Sequence, residues 1–132
     1  MNTKKAIIGG IIAGIVLNLM SFLFSMFPGK GEFYAQKFPE LMTGFGMGMM
    51  ILSLLLIGIF MGLIYGVVNT SLPKSQVKKG AIFGLMTFLL VGTMWPIMMI
   101  SFTSAYIWIT ELIFGLIQYV IAGLIVAGIY RK

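Results

Sequence analysis

Residues 41–68 read LMTGFGMGMMILSLLLIGIFMGLIYGVV, a stretch with no charged side chain and with glycine at 58, 62 and 66. A bilayer core of about 30 Å needs roughly 20 apolar residues in a helix, so this stretch is long enough to cross one. The charged residues mark off three more of the same kind. Lys5 to Lys30 encloses 24 uncharged residues, Lys79 to Glu111 encloses 31 and Glu111 to Arg131 encloses 19, beside the 33 between Glu40 and Lys74. Each gap accommodates one span and none comfortably holds two. Four helices are predicted, near 6–27, 41–68, 80–100 and 105–130. The reversals fall at Pro28-Gly29-Lys30, Asn69-Thr70-Ser71-Leu72-Pro73 and Ser101-Phe102-Thr103-Ser104, which are rich in turn-forming residues.

The composition agrees with that division. Of 132 residues, 60% are hydrophobic and only 9% charged, and the mean hydropathy is +1.08. An ordinary soluble domain is about half apolar and about a quarter charged. The reading is an all-α integral membrane protein, a four-transmembrane-helix bundle forming one domain over 1–132. Lys4 and Lys5 before an apolar stretch resemble the start of a secretory signal, but the stretch is too long and Phe22-Leu23-Phe24-Ser25-Met26-Phe27 offers no small-residue cleavage pattern. It is read as an uncleaved first span.

Nine basic and three acidic residues give a net charge of +6, and they are unevenly placed. Lys4, Lys5, Lys74, Lys78, Lys79, Arg131 and Lys132 fall on one side of the predicted spans, unaccompanied by any acid. Lys30 and Lys37 fall on the other, with Glu32, Glu40 and Glu111. Basic residues in short loops are retained on the cytoplasmic side, so both termini are expected inside a cell membrane, plasma or inner. The basic set is also expected to contact anionic lipid, at about 1 kcal/mol for each residue near such a surface. Singles and pairs of lysine at helix ends make no folded basic face with base-reading side chains, so nucleic acid is not expected as a partner.

The chain has no His, no Cys and no Asp. Those residues supply most catalytic and metal sites, so the expectation is a non-enzymatic protein with no catalytic residue, no metal and no cofactor. Haem and quinone subunits, thiol oxidoreductases and metalloproteases all lack their characteristic ligands or nucleophiles here. Methionine is abundant, and Met47, Met49 and Met50 raise the thought of a soft Cu(I) relay. Met also serves as a flexible filler against irregular glycine-rich surfaces, and without Cys or His nearby that reading is preferred.

Glycine recurs at helical spacing: Gly58, Gly62 and Gly66 on the second span, Ala6, Gly10 and Gly14 on the first, Gly80 and Gly84 on the third. In lipid no hydrophobic drive brings helices together, and small residues that allow close backbone approach are the main means of association. These faces are therefore read as helix contacts, either within one bundle or between protomers of a homodimer. A short repeat, Lys4-Lys5-Ala6-Ile7-Ile8-Gly9 against Lys78-Lys79-Gly80-Ala81-Ile82-Phe83-Gly84, suggests a 2+2 duplication of helical hairpins.

Only Glu111 qualifies as an ionisable group near the hydrocarbon region, roughly 27 Å up the fourth span and close to its outer edge. Tyr106 and Trp108 nearby make an interfacial aromatic belt, so a wet interfacial carboxylate is one reading. The other takes Glu111 and Gln118 with Asn18, Ser21 and Ser25 on the first span as an intramembrane polar site. An Asn18 to Gln118 hydrogen bond is expected from their similar depths, roughly 18 and 16 Å. Pro96 should kink the third span by removing the bond to the Gly92 carbonyl. Residues 28–40 are expected to lie in the interface with Phe33, Tyr34 and Phe38 turned down.

Two functions remain. The first is a structural or accessory protein, or one binding membrane lipid or a partner in the bilayer, as an oligomer or a subunit of a larger complex. The alternative is a small-solute or ion transporter or channel using the polar face of the first and fourth spans.

Overall fold

A computed structural model describes residues 1–101 and 104–131. Phe102 and Thr103 of the third predicted reversal, and Lys132 of the basic set, lie outside the described residues. Every regular element among the described residues is helical: α1 (Thr3–Ser25), α2 (Lys30–Lys37), α3 (Gly44–Val68), α4 (Gln76–Thr87), α5 (Met94–Met99) and α6 (Ala105–Arg131). Single 3-10 turns at Pro39–Met42 and Asn69–Ser71 flank α3. Four helical stretches are long and apolar enough to cross a membrane: Thr3–Ser25, Gly44–Ser71, Gln76–Met99 and Ala105–Arg131.

Local chemistry sets the ends. The Asn2 side chain accepts from the Lys5 N–H at 3.1 Å, which starts α1 three residues before the first alanine of the span. Thr43 caps α3 in the same way, its Oγ1 accepting from the Gly46 N–H at 3.1 Å. The chain turns out of α1 through Gly29, whose φ of +81° lies in the left-handed region that only glycine enters without strain.

The helices pair as two tight antiparallel hairpins, α1 with α3 and α4 with α6, joined along α1 and α6. Glycine makes the pairs tight. A Cβ on Gly10 would lie 2.7 Å from the Ile59 Cα, and one on Gly14 would lie 2.9 Å from the Leu55 Cα. From the other side, Gly58 faces the backbone of Gly10 and Gly14, and Gly62 faces Ala6 and Gly10. Gly80 and Gly84 do the same for α4, where a Cβ would come within 2.7 Å of the Leu124 and Val120 Cα atoms. A Cβ on Gly66 would meet the Met1 side chain and, at 3.5 Å, the Ala6 Cβ of α1.

Outside the α1–α6 seam, α3 and the third span meet at only one end. At the end that carries both termini, Tyr65, Phe83, Met61 and Val126 are buried, and the Tyr65 and Phe83 rings meet edge to face at 5.2 Å. The Asn2 N–H donates to the Tyr130 hydroxyl at 2.9 Å, and Gln76 donates to the Ala127 carbonyl. Toward the other end the third span loses its α-geometry. Phe88–Gly92 forms a π-turn in which the Thr93 N–H reaches the Phe88 carbonyl at 2.9 Å, and Pro96 follows with no N–H to give to Gly92. The α-helix, expected to be broken at Pro96, is thus already interrupted at Phe88, eight residues earlier. α3 and α5 do not pack along one another.

Adding a methyl at a backbone-contact glycine should therefore act differently from adding one in open space. Gly58→Ala is expected to cost about 1–3 kcal/mol through overpacking, and Gly48→Ala, which has nothing within 4 Å, should raise stability by about 0.5–1 kcal/mol through the smaller backbone entropy of alanine. Unfolding of both variants in detergent, side by side, is the measurement.

Candidate functional site

Where α3 and α5 part, a cleft of about 790 Å³ opens between them. The size is that of a pocket for a small organic ligand. Its side walls are apolar: Phe45, Met49 and Met50 on α3, and Met94, Trp95 and Met98 on α5. α1 and α6 form the back, where Ser21, Phe114 and Gly115 lie, and Gln118, Tyr119 and Ile57 close the bottom. α2 and the turn after it form the roof. Met42, Met49, Met50, Met94 and Met98 thus share the lining of a single space.

The polar groups of the cleft belong to a network between the roof and α6. Lys30 is 2% exposed, and its Nζ lies 2.5 Å from Glu111 Oε1. The same ammonium sits 4.7 Å from the centre of the Phe114 ring, which itself stacks on Phe24 at 4.3 Å. The Tyr34 hydroxyl donates to Glu111 Oε1 at 2.9 Å and accepts from the Trp95 indole N–H at 3.1 Å. Burial, with the Glu111 carboxylate beside it, pushes the Tyr34 phenol far above its ordinary range. It remains a donor at any physiological pH. Phe38 and Tyr34 also pack on the Trp95 ring, with centroids 6.0 and 6.3 Å away. α2 is therefore tied at once to α6 by charge and to α5 by aromatic contact.

The sequence-predicted polar residues do not form one track. Glu111 is largely buried, its side chain 18% exposed, and it pairs with the buried Lys30 ammonium. Gln118 is buried and donates to the Leu17 carbonyl at 2.7 Å and to Ser21 Oγ at 2.6 Å. The expected Asn18 to Gln118 bond is absent: Asn18 donates instead to the Gly14 and Ile51 carbonyls, at 3.0 and 3.1 Å. Successive helical residues are 100° apart, so Leu17 and Ser21 face α6 whereas Gly14 and Asn18 face α3. Ser25 lines the cleft with Ser21, its hydroxyl donating to the Phe22 carbonyl. Lys30, the partner that makes Glu111 tolerable, escaped the sequence reading. It sits beyond the predicted span, next to Pro28 and Gly29, and looks like a loop lysine. The one available signal was Gly29 itself, which permits the turn that brings Lys30 back over the helix ends.

The chain matches no family model, and comparison with curated proteins and with solved structures finds no match.

Breaking a buried pair by removing one partner leaves an uncompensated charge and costs about 3–5 kcal/mol, whereas an apolar replacement of both can be neutral. Lys30→Met and Glu111→Leu should each destabilise the protein strongly, and the double variant should recover most of the loss. Thermal unfolding of the three variants in one detergent tests this.

Proposed function

We propose that this chain is a small non-enzymatic multi-pass protein of a cell membrane, with both termini cytoplasmic, that binds a lipid-like amphiphile in the cleft between α3 and α5. The cleft carries the reading. It is walled by methionine and aromatic side chains, holds a charged cluster at its roof, and lies between two stretches of spanning length, Gly44–Ser71 and Gln76–Met99. A molecule with an apolar body and a polar head, entering between those helices from the hydrocarbon, matches each of these surfaces. The orientation rests on Lys4, Lys5, Lys74, Lys78, Lys79 and Arg131, which belong to the end with the termini, where they suit a cytoplasmic leaflet carrying anionic lipid. Packing of α1 on α3 and of α4 on α6, both through glycine, supports a duplicated hairpin as the origin of the fold.

The transport alternative draws on Glu111, Gln118, Ser21 and Ser25, which do line the cleft. Below Gln118, however, Leu17, Met61, Tyr65 and Val126 are buried at 2% exposure or less, so a solute would have to displace packed core. Binding is the simpler use of this geometry. Oligomerisation, as a homodimer or within a larger complex, is compatible with it and is not needed to form the site.

Trp95 provides a reporter in the cleft wall. In a Trp108→Phe background, phosphatidylcholine with brominated acyl chains in nanodiscs should quench Trp95 at a bromolipid fraction well below that needed for lipid at large. Met50→Phe with Val91→Phe, which fill the cleft from both walls, should abolish that preference. Quenching that merely follows the bulk bromolipid fraction would sink the reading. Ion flux in liposomes that exceeds empty liposomes and disappears in Glu111→Gln would favour transport in its place.

A further inference from the structure

The charges and hydrogen-bond groups of the cleft discriminate among amphiphiles. Three residues of formal charge line it, Lys30, Glu40 and Glu111. Lys30 and Glu111 neutralise each other at 2.5 Å, and Glu40 has no ion-pair partner among the described residues. The cleft therefore carries a net negative charge in a chain whose total is +6. Walls of low dielectric focus such a field on whatever enters.

Hydrogen bonding points the same way at the roof, where the donors are turned onto protein acceptors and the Ser21 and Tyr119 hydroxyls are left as donors deeper in the cleft. Lys30 and the Tyr34 hydroxyl are turned onto Glu111, the Trp95 N–H onto Tyr34, and the Gln118 amide N–H onto Leu17 and Ser21. The Ser25 and Ser53 hydroxyls return to their own helices. Acceptors remain. The Gly92 carbonyl receives no α-helical bond from Pro96, which has no N–H, and the exposed residue Glu40 belongs to the lining. The ring of Trp95 in the wall adds a face of negative potential, the surface by which proteins hold quaternary ammonium groups. An anionic head would meet a negative site with few free donors. A cationic head would meet acceptors, carboxylates and an aromatic face.

We propose that the cleft takes an amphiphile bearing a single positive charge, of the quaternary ammonium or phosphonium type, with its apolar body between the methionines and its cation beside Glu40, Glu111 and Trp95. The inference rests on the reading of the cleft as an amphiphile site and adds the sign of the head. Lys30 then plays the part of an internal competitor, a tethered cation already seated on Glu111.

Tetraphenylphosphonium and tetraphenylborate have nearly the same shape and opposite charge, so the pair isolates the sign. Each is titrated into the Trp108→Phe protein in a neutral maltoside detergent, with Trp95 quenching as the readout and tryptophan analogue in empty micelles as the control. Saturable quenching is expected with the phosphonium at a concentration at least about tenfold lower than with the borate, a factor that corresponds to about 1.4 kcal/mol. Glu40→Gln, an exposed position that leaves the buried network intact, should reduce that preference severalfold. Glu111→Gln should reduce it further. Equal or tighter binding of the borate would overturn the cation assignment and leave the cleft as an amphiphile site. An unchanged preference in both variants would overturn it too. Saturable quenching by neither ion would overturn the assignment and the cleft reading together.

Discussion

Close backbone approach at glycine is the constraint on which the rest of this molecule depends. Between helices in hydrocarbon there is no hydrophobic gain from association, so stability comes from dispersion contacts that grow as the backbones near each other. Gly10, Gly14, Gly58 and Gly62 bring α1 onto α3, and Gly80, Gly84 and Gly123 bring α4 onto α6. The two hairpins are each held tightly in this way and meet along α1 and α6. At the end with the termini, bulky side chains such as Tyr65 and Phe83 bridge the hairpins. At the opposite end the π-turn and Pro96 carry the third span aside, and a cleft is left between α3 and α5.

A cleft at the edge of a membrane-spanning bundle needs a roof that stays in place. The Lys30 to Glu111 pair supplies it, with Tyr34 and Trp95 completing a chain of contacts from α6 through α2 to α5. A buried pair of this kind offers little net stability compared with apolar side chains of the same volume, because both ions give up their hydration. Its value is positional. It fixes a short helix, α2, which has little apolar surface of its own, over a specific site on α6. The same carboxylate holds the phenol of Tyr34 as a donor, and so one acidic residue orients two side chains directly and Trp95 through Tyr34.

Much of the architecture was legible because lipid imposes simple rules. Charge-free gaps of the right length mark the spans, and glycine at every fourth residue marks faces where backbones can meet. The site was less legible. Glu111, Gln118, Ser21 and Ser25 stood out as polar residues in apolar surroundings, and they do come to one region. Asn18 stood out equally and turns to α3, one residue away from the face that meets α6. Lys30 did not stand out at all, since a lysine after Pro28 and Gly29 has the appearance of a solvated loop residue.

The sequence by itself determined the class of the protein, the number of its long apolar helices and the surfaces able to pack closely. These follow from local quantities: the hydropathy of a window, the absence of charge, and the lack of a side chain at glycine. Tertiary structure alone decided that the tight pairs are α1 with α3 and α4 with α6, that α3 and the third span part at one end, and that Lys30 lies on Glu111. Each of these depends on the relative rotation of helices about their axes. One residue changes that rotation by 100°, so residues far apart in sequence meet or miss according to an angle that no single span encodes.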